Sequence, residues 1–201
     1  MGIRRACSSR ESSPPGLQMS LDAPRRDRIQ AAFHVGAACV IILVTMGRAT
    51  ILLIVALVVC YWIWARRSEW PPAKSIIGVY SVAVVVQTAH LLEEYSTGFY
   101  RAFPPVFGAD PWSARRFLIF NFAWLTVFLI AGFGLLRGRR GAYLVAMFLA
   151  IGGGILNGLG HLALSARAGG YFPGAYTGVL ALLVGSVLTY RLVLGPVHVR
   201  P

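Results

Sequence analysis

Apolar residues gather in six runs along the chain, at 31–46, 49–65, 76–95, 117–136, 142–164 and 175–194, with polar stretches rich in Arg, Gly and Pro between them. A helix needs roughly 20 apolar residues to cross a bilayer, and about 17 at the least. The last four runs meet this comfortably. The second sits at the minimum, and the first is short but uncharged. Runs one and two cannot make one straight span, because residues 31–65 would extend roughly 52 Å at 1.5 Å per residue, and Gly47-Arg48 lies midway. They read as a hairpin of two short helices. The alternative is five spans, with 31–46 lying in the interface or removed. The pattern therefore predicts an all-α, polytopic transmembrane helix bundle of five or six spans. Its expected parts are a disordered basic tail (1–30), an anchor or first short span (31–46), the main helical domain (49–194) and a short tail (195–201).

Composition agrees with this class. Of the 201 residues, 57% are hydrophobic and 13% charged, with a mean hydropathy of +0.66. Soluble domains sit near 45–50% and about 25%. The net charge of +12 would suggest nucleic acid in a soluble protein, but anionic headgroups and the positive-inside rule account for it here, and no nucleic-acid partner is expected. With six spans, one face holds six arginines ahead of residue 31, then Arg66, Arg67, Lys74, Arg137, Arg139, Arg140, Arg191 and Arg200. The other holds Arg48, Arg101, Arg115, Arg116 and Arg167. The richer face, with both termini, is expected in the cytoplasm, and the cell membrane is the expected location. Arg25, Arg26 and Arg28 before an apolar stretch resemble a signal peptide. No small-x-small cleavage site follows, so a retained anchor is expected, with Met46 as a candidate internal start. Cys7, Cys39 and Cys60 have no metal-ligand or disulfide spacing.

The longest loop, 96–116, reads as an ordered lid or re-entrant segment, with Tyr95, Phe99, Tyr100, Phe103, Phe107 and Trp112 expected at the headgroups. Trp62, Trp64 and Trp70 are expected as interface anchors too. Arg115 and Arg116 are expected to snorkel to headgroups, with binding of an anionic substrate head as the alternative.

Only two of the seven acids terminate an apolar run: Glu93 and Glu94, in Gln87-Thr88-Ala89-His90-Leu91-Leu92-Glu93-Glu94-Tyr95. At 100° per residue, Gln87, His90, Glu93 and Glu94 share one face. Carboxylates at a helix C-terminus oppose the macrodipole by ~0.3–1 kcal/mol each. Ionisable stripes at membrane depth mark function by default. A second cluster, Asn157 and His161, is spaced i, i+4 after the triplet Gly152-Gly153-Gly154. His90 lies roughly 22 Å and His161 roughly 28 Å along helices running in the same direction, so both fall in the same half of the membrane. Asn121 and Tyr171-Phe172-Pro173-Gly174 lie at that level too. The bland alternatives are a helix leaving the membrane at Glu93-Glu94 and a glycine-rich packing face with a hydrogen-bonded Asn and His.

Three signatures in order, His90-Leu91-Leu92-Glu93-Glu94, Asn157…His161 in N-x-x-x-H form, and Tyr171-Phe172-Pro173-Gly174 in Y-x-P-G form, resemble the HXXEE family of small integral membrane proteins. The resemblance covers roughly residues 50–194. It implies an enzyme with an HXXEE domain, without naming a reaction.

The residues leave three functions open. The first is a metal-dependent membrane enzyme in which His90, Glu93, Glu94 and His161 hold Zn or Fe near the non-cytoplasmic face. Asn157 would orient a ligand, Tyr171 would donate a proton, and a lipid-like or other apolar substrate would enter from the bilayer. The second is a metal-free acid/base isomerase or cyclase of a lipid or terpenoid, with Glu93 or Glu94 as acid and His161 as base. The third is a small transporter or other non-enzymatic membrane protein.

Overall fold

The computed structural model describes the backbone of residues 15–195 and the side chains of 25–195. It is helical throughout, with no strand among the described residues. The elements are α1 (Pro15–Met46), α2 (Ile51–Arg66), α3 (Ala73–Thr97), α4 (Phe99–Val106), α5 (Ala114–Leu136), α6 (Arg140–Phe148), α7 (Asn157–Ala168) and α8 (Ala175–Leu194). A π-helical stretch, Leu149–Leu156, fuses α6 and α7 into one rod. Among the described residues six helices are long and apolar enough to cross a membrane, the first being Arg25–Met46 and the last Ala175–Val193.

The first two runs form the expected hairpin. Gly47, at φ 73°, ends α1 and turns the chain through a short 3-10 turn, Arg48–Thr50, into α2, and Thr50 Oγ1 donates back to the Gly47 carbonyl at 2.8 Å. α1 starts at Pro15, so residues 15–30 of the expected tail lead as helix into the first span. Arg25, Arg26, Arg28 and Gln30 are fair helix formers that extend the span beyond the apolar run. Residues 1–14 of that tail, and His198 and Arg200 of the C-terminal tail, lie outside the described residues.

Several aromatics expected at the headgroups pack inward instead. α4 folds back over the end of the bundle, and Phe99, Tyr100 and Trp112 are buried with Phe117 and Phe172. Trp112 Nε1 donates to the Met46 carbonyl at 3.1 Å, which ties this lid to the α1–α2 turn. At the opposite end Trp64 is buried and donates to the Arg140 carbonyl at 2.9 Å. The Met46 carbonyl ends α1 and has no partner within its helix, so the buried Trp112 indole satisfies it, while the Arg140 carbonyl at the start of α6 gains Trp64 as an additional donor.

The core of the site-bearing half is the contact of α3 and α7 with α8. Here α7 and α8 touch almost backbone to backbone. A Cβ at Gly158 would collide with the Gly178 carbonyl oxygen, so only glycine fits. Such small-residue contacts hold helices together in lipid, where apolar burial gives no drive.

Candidate metal centre

The site is assembled from three rods. α3 brings Gln87, His90, Glu93 and Glu94. Neighbours on a helix point about 100° apart, so Glu93 and Glu94 cannot face the same way. Glu94 and His90 are buried, at 5% and 0% exposure, while Glu93 lies on the side facing α8. The π stretch widens the fused rod beside Gly152-Gly153-Gly154 and resets the phase at which α7 begins, which turns Asn157 and His161 towards α3. π segments of this kind concentrate at functional sites. α8 brings Thr177.

His90 Nε2 stands 3.4 Å, and His161 Nε2 3.2 Å, from Glu94 Oε1. The two imidazole rings meet edge to face with centroids 4.7 Å apart. One donor atom from each of His90, Glu94 and His161 falls within 4.8 Å of the others. The expected meeting of imidazoles and carboxylate is therefore present, with Glu94 alone as its acid.

Glu93 is not part of that group, contrary to the expectation that both acids bind metal. Its carboxylate accepts from Tyr176 N at 3.1 Å, Thr177 N at 2.7 Å, Tyr171 OH at 2.7 Å and the Thr177 hydroxyl. Tyr176 and Thr177 are in the first turn of α8, whose free N–H groups have no partner of their own. The acid that opposes the dipole of α3 thus complements the positive end of α8.

Tyr171 likewise lies outside the His90–Glu94–His161 group. It is exposed, it donates to Glu93, and it does not line the cavity described below. Burial and the adjacent Glu93 carboxylate push its phenol above the ordinary value. The part of the Y-x-P-G segment that matters to the centre is Gly174. It sits at φ 89°, and a Cβ there would collide with His161 Cε1. Glycine satisfies the left-handed turn and leaves room for the ring.

The hydrogen-bond network assigns the tautomer of His90. Thr177 Oγ1 gives its one proton to Glu93, so it presents a lone pair to His90 Nδ1 at 2.8 Å, and Nδ1 carries the hydrogen. Nε2 is left with a lone pair, to which the Asn157 amide donates at 2.7 Å. That lone pair also faces a carboxylate oxygen, which has only lone pairs to offer. Such an arrangement is favourable when a cation or a proton lies between the two.

His161 points the same way. Its ring is buried, and neither nitrogen has a hydrogen-bond partner, Nε2 being close to Glu94 but poorly aligned. An orphaned buried imidazole costs roughly 1–3 kcal/mol. Ligand atoms of tetrahedral zinc stand about 3.3 Å apart at the usual 2.0–2.2 Å bond lengths. The two Glu94 separations are close to that spacing, and two imidazoles with a carboxylate are a donor set that zinc or non-haem iron takes.

A cavity of about 180 Å³ adjoins the centre. Its polar wall is Glu94, His161, Asn157, Asn121 and Gln87, and aromatics including Phe99, Phe117 and Trp124 close the rest. Asn121 thus lies at the level expected of it. Leu52 and Leu156 on the rim are exposed on the lipid-facing surface. The residue that sequence reasoning missed is Thr177. Its signal is slight: a hydroxyl in the first turn of a span, three residues after Gly174.

No protein-family model, no curated protein and no solved structure matches the chain.

Proposed function

We propose that this protein is a metal-dependent membrane enzyme acting on a lipid-like substrate, with His90, Glu94 and His161 as metal ligands, and that it is a member of the HXXEE family. The observation that carries the reading is the buried His161 ring, unpartnered at both nitrogens and set against Glu94 at the edge of an apolar cavity. Zinc or non-haem iron bound there would supply Lewis-acid activation of a substrate oxygen, of water or of dioxygen.

The chain's own residues do the rest. The Glu93–Thr177 pair holds His90 in the tautomer that presents Nε2, whose one lone pair a metal would take in place of the Asn157 amide. The aromatic wall and the α4 lid exclude bulk water, which strengthens every polar interaction inside. Asn157 and Asn121 offer amides to orient a polar head, while the walls accept an apolar tail. The rim at Leu52 and Leu156 gives a route from the bilayer. The distribution of arginines supports a site near the non-cytoplasmic face of the cell membrane, with both termini in the cytoplasm.

A second reading is favoured by the position of Glu94 between two imidazoles: a metal-free acid/base enzyme in which the carboxylate and a ring share a proton. Metal content separates the two.

The function is tested by comparing lipid extracts of cells that express the wild type, His161→Ala and Glu94→Gln. Some lipid species should be depleted and others appear with the wild type alone. Identical extracts from all three would contradict an enzyme acting on membrane lipid.

A further inference from the structure

A second concavity, of about 550 Å³, lies on the outside of the bundle between α1 and α5. α1 leans on α2 and leaves a groove against α5. One wall is Ala38, Ile41, Ile42 and Thr45 of α1, and the other runs from Ser113 to Val127 of α5. The apolar part of that wall, Ile119 to Val127, rises roughly 12 Å, most of the roughly 15 Å hydrocarbon depth of one leaflet. Below its mouth the lining is almost wholly apolar.

The mouth is basic. Arg115 and Arg116 stand side by side at the start of α5, both exposed, and among the described residues neither pairs with a carboxylate. Arg116 Nε donates to the Thr45 carbonyl of α1. That bond fixes the guanidinium across the top of the groove and leaves its Nη groups to a ligand. An apolar channel most of a leaflet deep under two arginines without carboxylate partners has the shape and charge of a phospholipid with an anionic head.

We propose that the α1–α5 groove binds one anionic phospholipid, its phosphate held by Arg115 and Arg116 and an acyl chain lying along Ile41, Ile119, Ala123 and Val127. Two arginines favour a charged head by electrostatics, and Arg matches a phosphate with paired donors. The groove and the cavity share a wall, since Phe120 and Trp124 line both. The lipid therefore lies one aromatic layer from His161 and Asn157. The binding itself does not depend on a metal at the centre.

The test is native mass spectrometry of the full chain released from nanodiscs of mixed phosphatidylglycerol and phosphatidylcholine. One phosphatidylglycerol should stay bound per chain in preference to phosphatidylcholine. Arg115→Gln with Arg116→Gln should reduce that retention about thirtyfold, at roughly fivefold per arginine near a membrane surface. Ala123→Phe, on the lipid-facing wall, should fill the groove and abolish retention with both arginines intact. His161→Ala should keep the lipid, so this inference and the metal reading fail separately. Equal retention of the two lipids, or retention unchanged in either groove variant, would overturn the proposal.

Discussion

His90 Nδ1 stands 2.8 Å from Thr177 Oγ1, and this contact decides which ring nitrogen faces the centre. Groups that orient a metal-bound imidazole are commonly worth 10–100-fold in affinity. Thr177→Val keeps the shape and removes the acceptor, so metal affinity should fall by about that factor, measured by competition with a chromogenic chelator. Thr177→Ser should restore most of it. A Val variant that binds as tightly as the wild type would remove the orienting role of Thr177.

The adjacent acids should separate cleanly. Glu93→Gln weakens a cap on the first turn of α8, a contribution of about 1 kcal/mol, and loosens the Thr177 contact that orients His90, so thermal stability should drop and metal affinity weaken while the site still loads at saturating metal. Glu94→Gln removes a ligand oxygen, so metal should be lost with helical content unchanged. Parallel melting curves by circular dichroism and metal analysis read both. Metal lost from the Glu93→Gln variant but kept by the Glu94→Gln variant would reverse the assignment.

Gly174→Ala places a methyl where the His161 ring lies and forces an alanine into a left-handed turn, which alone costs roughly 1–2 kcal/mol. Lower stability and lower metal occupancy are expected together. Gly170→Ala, in the same connection but with open space around it, is the matched control and should change neither.

Leu156→Trp puts a bulky ring on the rim of the cavity, away from the three ligands. Metal content should stay at the wild-type level, while the lipid changes seen with the wild type disappear. Full lipid conversion in this variant would mean that the cavity is not the route to the centre.

The spans and the site were not equally legible in the sequence. Apolar run length gave five or six spans because a bilayer imposes a hard length requirement, and Gly47-Arg48 marked the hairpin that makes the sixth. His90, Glu94, Asn157 and His161 were legible because buried polar side chains are costly in lipid and stand out against apolar neighbours. What the one-dimensional pattern hid was the partner across helices. Glu93 shares a face with Glu94 on a coarse wheel, but only the approach of α8 shows it serving as a cap. The π stretch has no sequence signature beyond its glycines, yet it sets the direction of His161. Arginine spacing ahead of the first apolar run gave no sign that α1 continues back to Pro15. The inward turn of Trp112, between α4 and α5, depends on the distant Met46 carbonyl at the end of α1, which composition does not reveal.

The central claim is that His90, Glu94 and His161 hold a metal ion. The most direct measurement is inductively coupled plasma mass spectrometry on chain purified in mild detergent, alongside the His161→Ala and Tyr171→Phe variants. The account predicts close to one zinc or iron per chain in the wild type and in Tyr171→Phe, and none in His161→Ala. A wild-type chain that carries no metal, even after incubation with zinc and ferrous iron, or an occupancy that His161→Ala leaves intact, would contradict it.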